Sequence, residues 1–168
     1  MTRPGHVDFY TIILFIHIVA AIAAFGISFA YPLIDKVVHR LDVKSLPAYH
    51  ELQIQIARRL VTPSAILVFA AGLYLALDRW RHFSSGWYSG AIVIIIIILG
   101  IEHALLIPNA RRLRDRAALD VRESSGGTAT VALSTEYTNL QRQRAMWGGI
   151  IQLLVVVAVF LMVVKPGV

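Results

Sequence analysis

Apolar residues gather in four stretches, about residues 9–34, 60–77, 88–107 and 146–164, and charged residues return between them. A helix advances ~1.5 Å per residue and a bilayer interior is ~30 Å thick, so each stretch is long enough for one crossing. The third stretch contains an unbroken β-branched and aliphatic run from Ile92 to Leu99. In water such a run favours strand. In lipid every backbone amide must be paired within its own segment, and helix is the expectation. The first stretch has no basic segment before its core and ends in Tyr31-Pro32-Leu33-Ile34, so it reads as a mature span and not as a cleaved leader.

The intervening segments also carry helical signals. Pro47 to Glu51 opens a segment in which Leu52, Ile56 and Leu60 share one face, the pattern of an interfacial helix. Thr62-Pro63 reads as an N-cap followed by proline at the first helical position, with the second span starting there. A basic helix over 111–122, a break at 124–128 and a new helix from about Ser134 fill the second connection. No internal repeat is evident.

Composition sharpens this picture. Of 168 residues, 57% are hydrophobic and only 15% charged, against about 25% charged in average soluble domains. Disorder is excluded by the apolar content, and the lack of cysteine excludes disulfide scaffolds and thiolate metal sites. Lys36, Arg40, Lys44, Arg58, Arg59, Arg111, Arg112, Arg114, Arg116, Arg122, Arg142 and Arg144 lie in the two longer connections, whereas Arg3, Arg79, Arg81 and Lys165 lie on the opposite side. The positive-inside rule then places the N- and C-termini outside and two long basic loops in the cytoplasm. The expectation is an all-α, antiparallel four-helix transmembrane bundle, one domain over 1–168, in a bacterial cytoplasmic (inner) membrane. Trp80, Trp87 and Tyr88 mark its outer boundary and Trp147 its inner one. The net charge of +6 is then a topology signal with attraction for anionic lipid headgroups, and nucleic acid is not expected as a partner.

Polar groups inside the bilayer are costly and become the functional candidates. His17 lies on a stripe with Ala20, Ala21, Ala24, Ser28, Tyr31 and Asp35. Small side chains there serve close helix packing, or leave room beside an imidazole for a flat cofactor. Glu102 and His103, with Gln152, Ser28, Thr62 and Ser64, fall in one layer of the inner half, open to Arg58 or Arg59 from below. Such a layer is a buried ion pair that fixes register, or a proton relay, ion or metal site. His17 and His103 together would be an axial pair for haem, but they differ in depth, ~12 Å against ~22 Å from the outer edge. His17 as a single ligand escapes that objection. His6, His39, His50 and His82 lie outside the apolar runs and are expected to be solvated or interfacial. No nucleotide-binding, metalloprotease or nucleophile motif occurs. Gly26-xxx-Ala30 suits either a homo-oligomer face or packing within the chain.

His17 followed by Gly26 and Pro32, and Thr62-Pro63-Ser64-Ala65 leading to Gly72-Leu73-Tyr74-Leu75, resemble four-helix bacterial membrane proteins of the HemJ and CopD type. Pro108-Asn109-Ala110-Arg111-Arg112-Leu113 and the ending Met162-Val163-Val164-Lys165-Pro166 resemble a neighbouring, uncharacterised family of integral membrane proteins. Likeness to HemJ, a haem-associated protoporphyrinogen oxidase, implies a porphyrin pocket near His17, with His103 resembling its second histidine. The lysine that those enzymes carry near the start of span three is absent from Trp87-Tyr88-Ser89-Gly90-Ala91. Likeness to CopD implies copper, without the Met- and His-rich outer segments.

Three functions follow from these residues. One is a haem b, porphyrin or copper protein with His17 and His103 as cofactor ligands. Another is a proton-coupled transporter or ion channel using Glu102, His103, Gln152, Ser28 and Arg58. The last is a structural accessory subunit.

Overall fold

A computed structural model describes residues 8–79, 86–124 and 131–166. Helix α1 runs from Phe9 to Leu41 and a short 3₁₀ turn, Val43–Ser45, joins it to α2, Leu46–Ile56. A π turn, Ala57–Val61, leads without a break into α3, Thr62–Arg79. Helix α4, Gly86–Ile101, passes through a second π turn, Glu102–Leu106, into α5, Ile107–Ser124. Helix α6 runs from Thr135 to Val164. Four rods therefore stand side by side, each long and apolar enough to cross a membrane. Between 11% and 28% of each apolar window is buried, so most of that surface needs lipid to cover it.

Small residues bring α1 and α3 together: Ala20 and Ala24 on one side, Ala65, Ala71 and Ala76 on the other, all buried. Lipid supplies no hydrophobic force between helices, so close backbone approach has to provide the attraction. Helices α4 and α6 form the other close pair, with Ile98, Leu106, Ile151 and Val155 at its centre. Gly26 is an exception on α1, because a side chain there would meet nothing within 4 Å. No helix among the described residues packs on it. At the opposite end of the bundle from the loops, Trp87 and Tyr88 are buried against Ala76 and do not form an exposed belt. Trp80, Arg3, Arg81, His6, His82 and the expected break after Ser124 lie outside the described residues.

The two basic connections are built mostly of helix. Where the rods outrun the bilayer they pack into a small domain with its own core of Leu46, Tyr49, Leu113, Ala117, Tyr137 and Leu140. Ser134 caps α6, its Oγ accepting from the Tyr137 amide, as the sequence indicates. Asp120, also buried, ties the same corner by accepting from the Ser134 amide and hydroxyl and from Arg116.

Two expectations are corrected here. Thr62 has helical angles (φ −59°, ψ −54°) and sits inside a continuous rod, so it is not an N-cap. Leu52 and Leu60 are exposed as expected of an interfacial helix, but the opposite face of α2 carries His50 and Gln53 into the core. His50 is 0% exposed and so is neither solvated nor interfacial, whereas His39 is half-buried.

Candidate functional site

Three of the prolines stand inside the rods at the loop end of the apolar stretches, and each disturbs a helix ladder. Pro32 has no N–H, which strands the carbonyl of Ser28 four residues earlier. Gln152 Nε2, from α6, donates to that carbonyl at 2.7 Å. The Ser28 hydroxyl turns back to its own helix, donating to Phe25 O at 2.6 Å. Pro63 and Pro108 are met differently. In both rods the residue just before the proline reaches back five positions, the Thr62 amide to Ala57 O and the Ile107 amide to Glu102 O. One extra residue is absorbed in a π turn, a device found often at functional sites. The Thr62 hydroxyl also donates to Ala57 O, at 2.8 Å.

Residues of both turns border a gap between α1, α3 and α4. A cavity of about 30 Å³ opens there, lined by Ser28, Tyr31, Thr62, Glu102 and His103 among apolar neighbours. That is room for about one or two waters beside a carboxyl group. The charges acting on Glu102 are those of Arg144 and His103. Arg144 is itself buried, donates to Leu106 O at 3.1 Å, and lies over the Tyr31 ring with Cζ 6.0 Å from the centroid. Its direct contacts are thus with Leu106 and Tyr31, and it acts on Glu102 through its charge.

A second, more open hollow of about 250 Å³ lies on the loop side, lined by Arg58, Arg111, Ile107, Pro108, Thr62 and His103. Thr62 and His103 belong to both cavities and form the partition between them. Their contact, Thr62 Oγ1 to His103 Nε2, is 3.3 Å. His103 Nδ1 donates to Leu99 O at 3.0 Å, because a carbonyl can only accept. With the single Thr62 hydrogen on Ala57 O, the partition closes when His103 Nε2 also carries a proton. A neutral ring closes it only by drawing the Thr62 hydroxyl away from Ala57. The partition therefore has two hydrogen-bonded arrangements that differ by one proton.

Among the residues expected to act together, Glu102, His103 and Ser28 do line one cavity. Gln152 meets Ser28 through its backbone carbonyl, a repair of the proline break. Arg58 stands in the outer hollow. His17 lies elsewhere: it donates through Nδ1 to Val68 O at 3.0 Å, and Gly72 gives its ring space, since a Cβ there would come within 3.1 Å of Cε1. Val68 and Thr62 are six residues apart on α3, or ~9 Å in depth. The His17 and His103 rings thus contact different levels of the bundle. No group of three or more His, Asp or Glu side chains is poised for a metal among the described residues.

Arg144 and Tyr31 are the site residues that sequence reasoning overlooked. The signal for Arg144 was available, because Tyr137, Leu140, Arg144, Ile151 and Val155 repeat at helical spacing and form the buried face of α6.

The sequence profile of one family, described as "Predicted integral membrane protein (DUF2269)", matches residues 11–166. No curated protein and no solved structure matches the chain.

Proposed function

The chain belongs to that family of integral membrane proteins, and on this premise we propose that it moves protons together with an anion across the bilayer. Glu102 is the group that loads and unloads the proton. The observation behind this reading is the meeting of a largely apolar internal cavity that holds Glu102 and an arginine-lined hollow at one hydrogen-bonded partition, Thr62–His103. Glu102 takes up a proton from cavity water, Arg144 balances its charge when ionised, and His103 passes the proton across the partition. Arg58 and Arg111 give the hollow a positive potential, which disfavours free cations and favours an anionic companion. By the positive-inside rule this hollow faces the cytoplasm of a bacterial inner membrane.

The test is flux in protein-loaded liposomes containing a pH-sensitive dye, with a pH gradient imposed and chloride or phosphate supplied. Wild-type protein is expected to dissipate the gradient, and Glu102→Gln to abolish this while Arg144→Gln slows it. Liposomes with wild-type protein that hold their gradient as well as empty ones, or undiminished flux in Glu102→Gln, would overturn the reading.

A second reading, a haem b or copper ligand at His17, has one observation in its favour. The Nδ1–H bond to Val68 O leaves the Nε2 lone pair for a ligand, the usual arrangement of a metal-binding imidazole. A Soret band or bound copper in purified protein, lost in His17→Ala, would support it.

A further inference from the structure

At the loop end of the bundle, α1, α2 and α6 are joined by a closed ring of hydrogen-bonding side chains. Tyr49 Oη contacts Asp35 Oδ1 at 2.5 Å, and Gln53 Nε2 donates to Tyr49 Oη at 2.7 Å. His50 Nδ1 meets Gln53 Oε1 at 3.0 Å, and His50 Nε2 meets the Tyr137 hydroxyl at 2.9 Å. Tyr137 Oη continues to His39 Nε2 at 3.0 Å, and His39 Nδ1 returns to the Asp35 backbone carbonyl at 2.8 Å. His50, Gln53, Tyr49 and Tyr137 are all buried.

We infer that this ring binds one proton beyond its ordinary complement, carried on His39 with the Tyr137 oxygen accepting from its Nε2, which makes the junction of α1, α2 and α6 a proton-binding site separate from Glu102.

Counting hydrogens leads there. Six contacts close the ring, and each needs one hydrogen between its two heavy atoms. Tyr49 and Tyr137 bring one each, and neutral His39 and His50 bring one each. The Gln53 amide faces one contact with nitrogen and the other with oxygen, so it brings one whichever way it is turned. Ionised Asp35 brings none. Five hydrogens cannot fill six contacts, and at 3 Å or less an unfilled contact sets two lone pairs against each other.

The same geometry locates the sixth. With Gln53 Nε2 donating to Tyr49, its Oε1 requires an N–H from His50 Nδ1, and the Tyr49 hydrogen belongs to the Asp35 carboxylate. Burial pushes the His50 pKa down to about 4, so its Nε2 is bare and takes the hydrogen of Tyr137. The Tyr137 oxygen must then accept from His39 Nε2, while His39 Nδ1 faces a carbonyl that can only accept. Both His39 nitrogens donate. The other charged groups that act on the ring agree with this placement. Asp35 on α1 is the near anion, held by Tyr49 and by Gln141 Nε2 at 2.9 Å, with Asp120 of α5 more distant. Arg144 on α6 disfavours a proton on His50, while Asp35 favours one there less strongly than burial opposes it. When the proton leaves, the Tyr137 hydroxyl can serve His50 or His39 but not both, and the ring opens at α6.

The experiment is NMR of the full chain in detergent micelles, labelled with ¹⁵N-histidine, His39 being assigned through His39→Gln. The wild type is expected to show a doubly protonated His39 beside a singly protonated His50. Tyr137→Phe removes two contacts and one hydrogen, so the four that remain are filled without an extra proton. The ratio of doubly to singly protonated His39 should fall by about tenfold or more at the same pH. An unchanged ratio would overturn the inference. Should Tyr137→Phe lose its helical circular dichroism, the wild-type spectrum decides alone: both rings singly protonated at every pH where the protein stays folded would equally overturn it.

Discussion

Gln152 of α6 donates its side-chain amide to the backbone carbonyl of Ser28 on α1, the carbonyl that Pro32 leaves without a helical partner. A polar side chain in the middle of an apolar helix thus offsets a defect in its neighbour. In a bilayer no water stands ready to do this.

Gln152→Leu should therefore destabilise the fold by about 1 kcal/mol, the scale of interhelical hydrogen bonds in membranes. Pro32→Ala restores the missing N–H and should recover most of that loss in the double variant. Thermal midpoints in detergent check both. If Pro32→Ala rescues nothing, the amide of Gln152 serves some purpose other than repair.

His17 and Gly72 form a second interlocking pair, with the imidazole resting where a side chain would begin. Gly72→Leu should cost roughly 1–3 kcal/mol through overpacking. Combining it with His17→Ala should return part of that stability, since the ring is the obstacle. Equal loss in the single and double variants would show that the clash lies elsewhere.

His50 gives a pH dependence with a definite sign. Burial holds its pKa near 4 in the folded protein, and the bond to Gln53 offsets this only in part, against 6.5 when unfolded. The unfolded chain binds the proton first, so this contribution is intact above pH 6.5 and is lost as pH falls from 6.5 to 4. The full loss is on the order of 3 kcal/mol. Thermal midpoints measured across this range should fall less steeply for His50→Gln than for the wild type.

Much of this protein was legible from one dimension. Four apolar stretches of bilayer length, a 12-to-4 division of basic residues and the Ala20–Ala24 stripe give the number of crossings, an expected orientation and the face of α1 that packs on α3. Those features depend only on length and on local periodicity, and lipid enforces them helix by helix. The partners of the polar groups were not legible in the same way. Thr62-Pro63 carries the residues of a helix start, yet the chain runs through it as a π turn, because packing on both sides keeps the rod continuous. His50 looks like a surface histidine in a polar segment until Tyr137, 87 positions away, closes over it. Arg144 counts as a loop charge until α6 buries it against Leu106 O and the Tyr31 ring. Hydrophobic pattern states which face of a helix is buried in lipid or protein. Which donor meets which acceptor depends on how separate rods are rotated and stacked, and only their packing in three dimensions decides that.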